Sequence, residues 1–128
     1  MSKIEVKHPD KQVNTGAYSA GVLCDGWLYV SGQGPLDLST GKIIEGDIQV
    51  QTRATLANVD KILKAAGCGP DNVVKCTCHL KDIGDFNAFN EVYKQYFTGI
   101  RPARTTVQSV LWGGIKVEVD AIARVPQK

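Results

Sequence analysis

The last quarter of the chain limits the possible folds most. Arg101–Ala123 reads RPARTTVQSVLWGGIKVEVDAIA, and two runs of alternating character, Thr105–Val110 and Lys116–Ala123, flank the short connection Leu111-Trp112-Gly113-Gly114. Successive side chains of a strand point to opposite faces, so such runs belong in a sheet with unlike sides. Read as a paired hairpin, one face carries Val107 and Ser109 beside Val117, Val119 and Ala121. The other gathers Arg104, Thr106 and Gln108 beside Glu118 and Asp120. A guanidinium, a hydroxyl and carboxylates on one side of a hairpin can hold and hydrolyse a small anion. Function is expected on that face.

Upstream, Ile4–Lys7 reads as a weak strand. Ala17–Cys24 and Trp27–Ser31 are extended runs joined by Asp25-Gly26, a dipeptide suited to a tight hairpin turn. Leu36–Gly46, rich in Asp, Ser, Thr and Gly, reads as a loop. Asp47 can cap a helix reaching Ala66, with an apolar stripe from Val50, Ala54, Leu56 and Ala57 to Val59, Ile62, Leu63 and Ala66. Gly67 is a natural stop. Val73–Leu80 alternates, with Val74, Cys76, Cys78 and Leu80 on one side and Lys75, Thr77 and His79 on the other. Asp82 or Asp85 can cap a second helix, striped with Phe86, Phe89, Tyr93, Tyr96 and Phe97 and ended by Gly99.

The order is β-β-β-α-β-α-β-β. Two amphipathic helices can cover one face of a mixed sheet, which makes the fold an α+β layer. Lys75, Thr77 and His79 join Arg104, Thr106, Gln108, Glu118 and Asp120 on the face left uncovered. An open face and open edges invite association, so an oligomer is expected.

At 128 residues with 43% hydrophobic composition, the chain suits a single domain, 1–128, with a real core. The net charge of +2, scattered lysines and arginines and few aromatics make nucleic acid an unexpected partner. No apolar run approaches the ~20 residues of a membrane span, and the start, MSKIEVKHPD, lacks a secretory core. A cytoplasmic protein is expected. Four cysteines fit a reducing compartment. Cys76 and Cys78 stand in C-x-C-H rather than the C-x-x-C spacing of structural zinc, so they read as buried small apolar residues and no metal is expected.

Four segments carry a resemblance to a known family: Gly16-Ala17-Tyr18-Ser19; Val30-Ser31-Gly32-Gln33-Gly34-Pro35; Asp85-Phe86-Asn87-Ala88-Phe89-Asn90; and Arg101-Pro102-Ala103-Arg104-Thr105-Thr106 leading to Val117-Glu118-Val119-Asp120-Ala121-Ile122-Ala123. Together they span nearly the whole chain and resemble the reactive intermediate deaminases, the RidA/YjgF or L-PSP translation-inhibitor family. The resemblance implies a chorismate-mutase-like fold, a homotrimer and clefts between neighbouring subunits. It implies hydrolysis of reactive imines and enamines, such as 2-iminopropanoate and 2-iminobutanoate, to 2-keto acids and ammonia, without metal or organic cofactor. Family members are also associated with ribonuclease activity, translation inhibition and catabolic deamination. The alternatives are therefore a larger enamine acid of the 2-aminomuconate type, or a non-enzymatic binding, translation-inhibiting or endoribonuclease role.

Carried over by position, Arg104 is the group that grips the substrate carboxylate. Its planar fork makes two parallel charge-assisted bonds that a lysine cannot. Glu118 positions the attacking water and handles its proton. Tyr18, Ser31, Gly32, Asn90 and Thr106 match positions that line the cleft. Departures are Thr106, where many imine-hydrolysing members have cysteine; Gly34 and Ala17, which replace bulkier residues or proline; and the Trp112-Gly113-Gly114 turn, which is shorter than usual. Arg101 is expected to add a second positive group near the cleft.

Overall fold

The Asp25-Gly26 turn starts the sheet. Asp25 (φ 53°) and Gly26 (φ 81°) both lie in the left-handed region that a two-residue hairpin requires. They join β2 (Gly21–Cys24) to β3 (Trp27–Gln33), and β1 (Ile4–Val6) pairs with the outer side of β2. The structure, a computed structural model, describes residues 2–127. After β3 come a two-stranded ribbon, β4 (Leu36–Asp37) with β5 (Lys42–Ile43), then α1 (Ile48–Ala65) and β6 (Val73–Leu80). The chain continues through α2 (Phe86–Tyr96), β7 (Ala103–Gln108) and β8 (Val117–Arg124). The main sheet is mixed and six-stranded, in the order β1-β2-β3-β8-β6-β7. Both helices pack on one side of it, as expected of an α+β layer.

The last two strands do not form the hairpin expected of them. β7 pairs parallel with β6, and β8 lies between β3 and β6, antiparallel to both. Composition explains the sorting. Val117, Val119, Ala121 and Ala123 of β8 are all buried, which suits a central strand, whereas β7 exposes Thr105, Val107 and Gln108 and suits an edge. Helix α2 supplies the crossover that a parallel pair needs.

Register then assigns the faces. Cys76 is opposite both Arg104 and Ala121, and Cys78 is opposite both Thr106 and Val119. Directly paired residues share a face, so Arg104 and Thr106 look toward the helices. Leu80 pairs with Gln108, which puts Gln108 on that side as well. Glu118 is opposite His79 and Asp120 opposite Thr77, on the open side, with Val107. Of the residues expected on the uncovered face, Lys75, Thr77, His79, Glu118 and Asp120 are there. Arg104, Thr106 and Gln108 are not.

Local patterning holds with smaller corrections. Asp47 caps α1, its Oδ1 accepting from Val50 N–H at 2.9 Å, and Gly67 (φ 78°) ends it. Leu56, Val59, Ile62 and Leu63 are buried, but Val50 and Ala57 face out. The polar Gln51, Thr52, Thr55 and Asn58 are buried instead. Gln51 donates to Ile44 O and accepts from Lys116 N–H, while Asn58 donates to both Gly34 O and Leu36 O. An apolar-only pattern misses Gln51 and Asn58 because their burial is supported by backbone groups outside the helix, Gly34, Leu36 and Ile44 before it and Lys116 far after it. In β6 a register shift against β8 turns Val73 inward and leaves Val74 exposed. Cys76 and Cys78 are fully buried free thiols.

Candidate active site

On the open side, β3 and β8 separate at a register shift between Val30 and Gln33, a distortion common beside active sites. The break places Ser31 and Gly32 next to Glu118. A Cβ on Gly32 would lie 2.7 Å from Glu118 Oε2, so the absence of a side chain there makes room for the carboxylate. Ser31 Oγ donates to Ser19 O at 2.6 Å, which leaves its lone pairs to accept. These residues form one wall of a cavity of about 580 Å³, faced by Tyr18, Trp112 and Ile115. The Tyr18 hydroxyl shares a hydrogen bond of 2.7 Å with Thr15 Oγ1, and Lys11 Nζ lies 5.3 Å from the Tyr18 ring centre. Among the described residues Glu118 has no ion-pair partner.

The second cluster lies on the helix side, at the edge strand. One face of α2 presents Phe86, Phe89, Asn90 and Tyr93, spaced three and four residues apart. The Arg104 guanidinium carbon lies 4.6 Å from the Tyr93 ring centre, 5.4 Å from Phe86 and 5.8 Å from Phe89. Its Nη1 donates to Asn90 Oδ1 at 2.8 Å. Aromatic faces attract the cation without occupying its N–H donors. Among the described residues no carboxylate pairs with Arg104, so donors remain for an incoming anion.

Thr106 Oγ1 is buried without a hydrogen-bond partner in the same cluster. Behind it, burial pushes the Cys76 thiol up to about 11 and the Cys78 thiol up to about 12. Both are neutral and unreactive near pH 7. Burial also raises the Tyr93 phenol, with the nearby Cys76 thiol adding to the shift, and its oxygen has no hydrogen-bond partner among the described residues. Tyr93 is a neutral platform for the cation.

The expected residues therefore fall into two groups. Tyr18, Ser31, Gly32 and Glu118 line the cavity, while Arg104, Asn90 and Thr106 sit together across the sheet. Arg104 and Glu118 do not share a face, because β6 rather than β8 is the partner of β7. Arg101 is elsewhere too. Its Nε donates to Phe97 O at 2.8 Å and its Nη2 to Lys94 O at 3.4 Å, satisfying carbonyls at the end of α2. Gly34 lines the cavity and Ala17 does not. Sequence reasoning missed Trp112 and Ile115 as cavity walls and the α2 aromatics as the cradle of Arg104. The aromatic stripe was visible, but its spacing does not say what it packs against.

Comparison with known proteins bears on the family and the fold. The family profile described as endoribonuclease L-PSP matches residues 10–125. The 2-iminobutanoate/2-iminopropanoate deaminase of Rattus norvegicus is 48% identical over 109 residues, covering 84% of this chain and 80% of that protein. A Rid-family protein of unknown function from Yersinia pestis superposes with a TM-score of 0.91 at 38% identity, over 97% of this chain and 100% of its own. TdcF of E. coli, solved with bound serine, gives a TM-score of 0.87 at 34% identity over 94% of this chain and 98% of its own.

Proposed function

The chain belongs to the endoribonuclease L-PSP family, the RidA/YjgF proteins, and from that premise we propose that it hydrolyses 2-imino acids of the 2-iminopropanoate and 2-iminobutanoate type to 2-keto acids and ammonia. The observation that carries the proposal is Arg104, a cation set on aromatic rings with donors free and, among the described residues, no carboxylate paired with it. Its complement is a small carboxylate. The name of the rat relative and the serine bound by TdcF both support an amino-acid-sized substrate.

In this reading Arg104 holds the substrate carboxylate through two parallel bonds. Glu118 accepts a proton as the oxygen of water bonds to C2 of the imine. With the imine entering protonated, the resulting carbinolamine takes that proton on nitrogen, the C–N bond breaks, the hydroxyl proton passes to the Glu118 carboxylate, ammonia leaves and the C2 carbonyl forms. Imines hydrolyse unaided in water, so orientation plus one held water suffices and no cofactor is invoked. Thr106 Oγ1 is a second donor for the substrate carboxylate, and Ser31 and Tyr18 border the water.

Arg104 and Glu118 lie on opposite faces of one sheet, so one copy does not present both to one small molecule. The active unit is a homotrimer in the cytoplasm, with each cleft taking Arg104, Asn90 and Thr106 from one copy and Tyr18, Ser31, Gly32 and Glu118 from its neighbour. The exposed edge strand β7 and the exposed Tyr29 and Val107 on the open face suit such an assembly.

The test is a dehydratase-coupled keto-acid assay on wild type, Arg104→Ala and Glu118→Gln, followed by refolding the two variants together. Each variant alone is expected to be inactive. Random mixed trimers should regain roughly a quarter of the wild-type rate, because about one interface in four then joins an intact arginine to an intact glutamate. An active Arg104→Ala variant rules out the clamp. Inactive mixtures of confirmed hetero-oligomers rule out the shared cleft.

A further inference from the structure

The backbone that carries Ser31 and Gly32 against Glu118 is held from behind by one buried amide. Asn58, on α1, donates to Gly34 O at 3.0 Å and to Leu36 O at 2.9 Å. Its Oδ1 lies 3.0 Å from His8 Nε2. His8 Nδ1 accepts from Asp10 N–H at 3.1 Å, so the neutral ring carries its hydrogen on Nε2 and gives it to Asn58. That bond fixes which end of the amide faces the loop, and both of its N–H donors are spent on Gly34 and Leu36. Two further ties run alongside: Gln12 N–H donates to Leu38 O at 2.9 Å, and Gln33 Nε2 donates to Ser31 O at 3.1 Å. The linkage from His8 to Gly32 is thus continuous. His8 and Asn58 are 5% and 8% exposed within their own chain, so these bonds persist whether or not a neighbouring copy covers the cleft.

The linkage has one weak point. A neutral imidazole has one donor and one acceptor, and His8 uses both; an imidazolium has two donors and no acceptor. Protonation therefore sets two N–H groups against each other at Asp10, and either the ring turns or the Pro9–Gln12 segment moves. The charged groups around the ring are Asp10 and Lys11 on its own segment, Lys61 on α1, Asp37 on β4, and Glu5 and Lys7 in and after β1. Asp10 attracts an imidazolium but is paired with Lys61 Nζ at 3.3 Å. Burial outweighs the help from Asn58 and Asp10, with Lys61 and Lys11 acting in the same direction as burial, and holds the His8 pKa below 6.5.

We propose that His8 and Asn58 are positioning residues of the active site and make it acid-sensitive: neutral His8 locks the Gly34–Leu36 backbone, and with it the Ser31-Gly32 wall beside Glu118, whereas protonated His8 releases it. The proposal rests on the imine-hydrolase reading and adds its regulation. Arg104, on the other face of the sheet, has no part in the linkage, so loosening costs turnover rather than the grip on the substrate carboxylate. Because folding favours the neutral ring, the lock is complete above pH 6.5 and is lost as pH falls through the His8 transition.

An amino acid oxidase acting on alanine supplies 2-iminopropanoate, and semicarbazide traps whatever imine survives. Steady-state rates are followed from about pH 7.5 to about pH 5.5 for wild type, His8→Gln and Asn58→Leu, a window that spans the His8 transition. The glutamine carries no titratable group, and any pH dependence of Glu118 or of the imine supply is common to both proteins. The ratio of wild-type to His8→Gln kcat therefore isolates His8, and it should fall by about threefold across the window with KM within about twofold. Asn58→Leu keeps the volume, removes both donors to the loop and should lower kcat about tenfold already at pH 7.5. A titration of wild type followed by NMR needs no variant: the Gly32 and Gly34 amide signals should move with the midpoint read from the His8 ring, and those of Asn90 and Arg104 should not. A constant kcat ratio, or Gly32 and Gly34 signals that ignore the His8 transition, overturns this inference and leaves the imine-hydrolase reading standing. Clearance by none of the proteins at any pH overturns both.

Discussion

Arg104 rests on three aromatic rings of a single helix, whereas Glu118 stands in a cavity walled by loops, glycines and one turn. The first region is tight and tolerates little change: Phe89 is fully buried and Tyr93 nearly so. The second is wide, and Gly32, Gly34 and Trp112 set its shape. In the proposed reaction the contrast would separate two tasks. A carboxylate is common to every 2-imino acid, so a rigid anchor would serve them all. Glu118, the proposed partner of the attacking water, stands instead among connections that can change without disturbing the core.

The sharpest way to break this comparison is at the anchor. Arg104→Lys keeps the charge and removes the fork, and kcat/KM should fall by about 100-fold, since charge-assisted bidentate bonds contribute several kcal/mol when partly buried. Steady-state kinetics with the alanine-derived imine reads it, and a loss under fivefold means that a point charge is enough. On the cavity side, Gly32→Ala pushes a methyl against Glu118 Oε2. Displacing the carboxylate by about 1 Å should cost roughly 10- to 100-fold in kcat, with KM little changed. A rise in KM alone would mean that Glu118 binds substrate rather than activating water.

Tyr93 tests whether the platform matters as well as the fork. Tyr93→Phe keeps the ring face under the guanidinium and should hold KM within about twofold, whereas Tyr93→Leu should raise KM about fivefold, a cation–π loss near 1 kcal/mol. Equal KM values for the two variants, with matched melting temperatures, would reduce the cradle to packing.

The smallest effect separates the regions by pH. His8 is buried beneath the cavity loops, with Nδ1 accepting from Asp10 N–H at 3.1 Å, so Nε2 is the atom that donates to Asn58 Oδ1 at 3.0 Å. Asn58 in turn holds Gly34 O and Leu36 O. Burial chiefly lowers the His8 pKa below 6.5, partly opposed by the Asn58 bond and by Asp10, with Lys61 and Lys11 adding to the lowering. The unfolded chain therefore binds a proton that the folded chain resists, and stability falls as pH drops below about 6.5. Urea unfolding should show the stability gap between wild type and His8→Gln closing from pH 7.5 to pH 5.5. Hydrogen exchange should show the acid-induced loosening at Gly34–Leu38 and not in α2. A gap that widens on acidification would reverse the assignment of His8 as neutral.

Much of this was legible before any tertiary structure. Asp47, Gly67, the Asp25-Gly26 turn and the aromatic spacing of α2 are local signals. Each is a backbone or side-chain preference acting over a few residues, and each placed its element. Family resemblance supplied a list of candidate site residues, and the structure gathers them into two groups on opposite sides of the sheet. What failed was the assumption that neighbouring strands in sequence pair with each other. Alternation assigns faces within one strand but carries no information about which strand lies alongside, and a different partner moves a whole face to the other side of the sheet. Here α2 carries the chain across to an edge position, and the fully apolar inner face of β8 takes the centre. The sequence by itself marked the two helices, the main strands and the Asp47 cap, but read as a loop the stretch that carries the β4–β5 ribbon and expected of Asp82 or Asp85 a side-chain cap on α2 that neither makes. Only the tertiary structure decided that Arg104 and Glu118 face opposite ways, that α2 cradles one of them and that Trp112 walls the other, because those contacts depend on the order in which strands compete for burial.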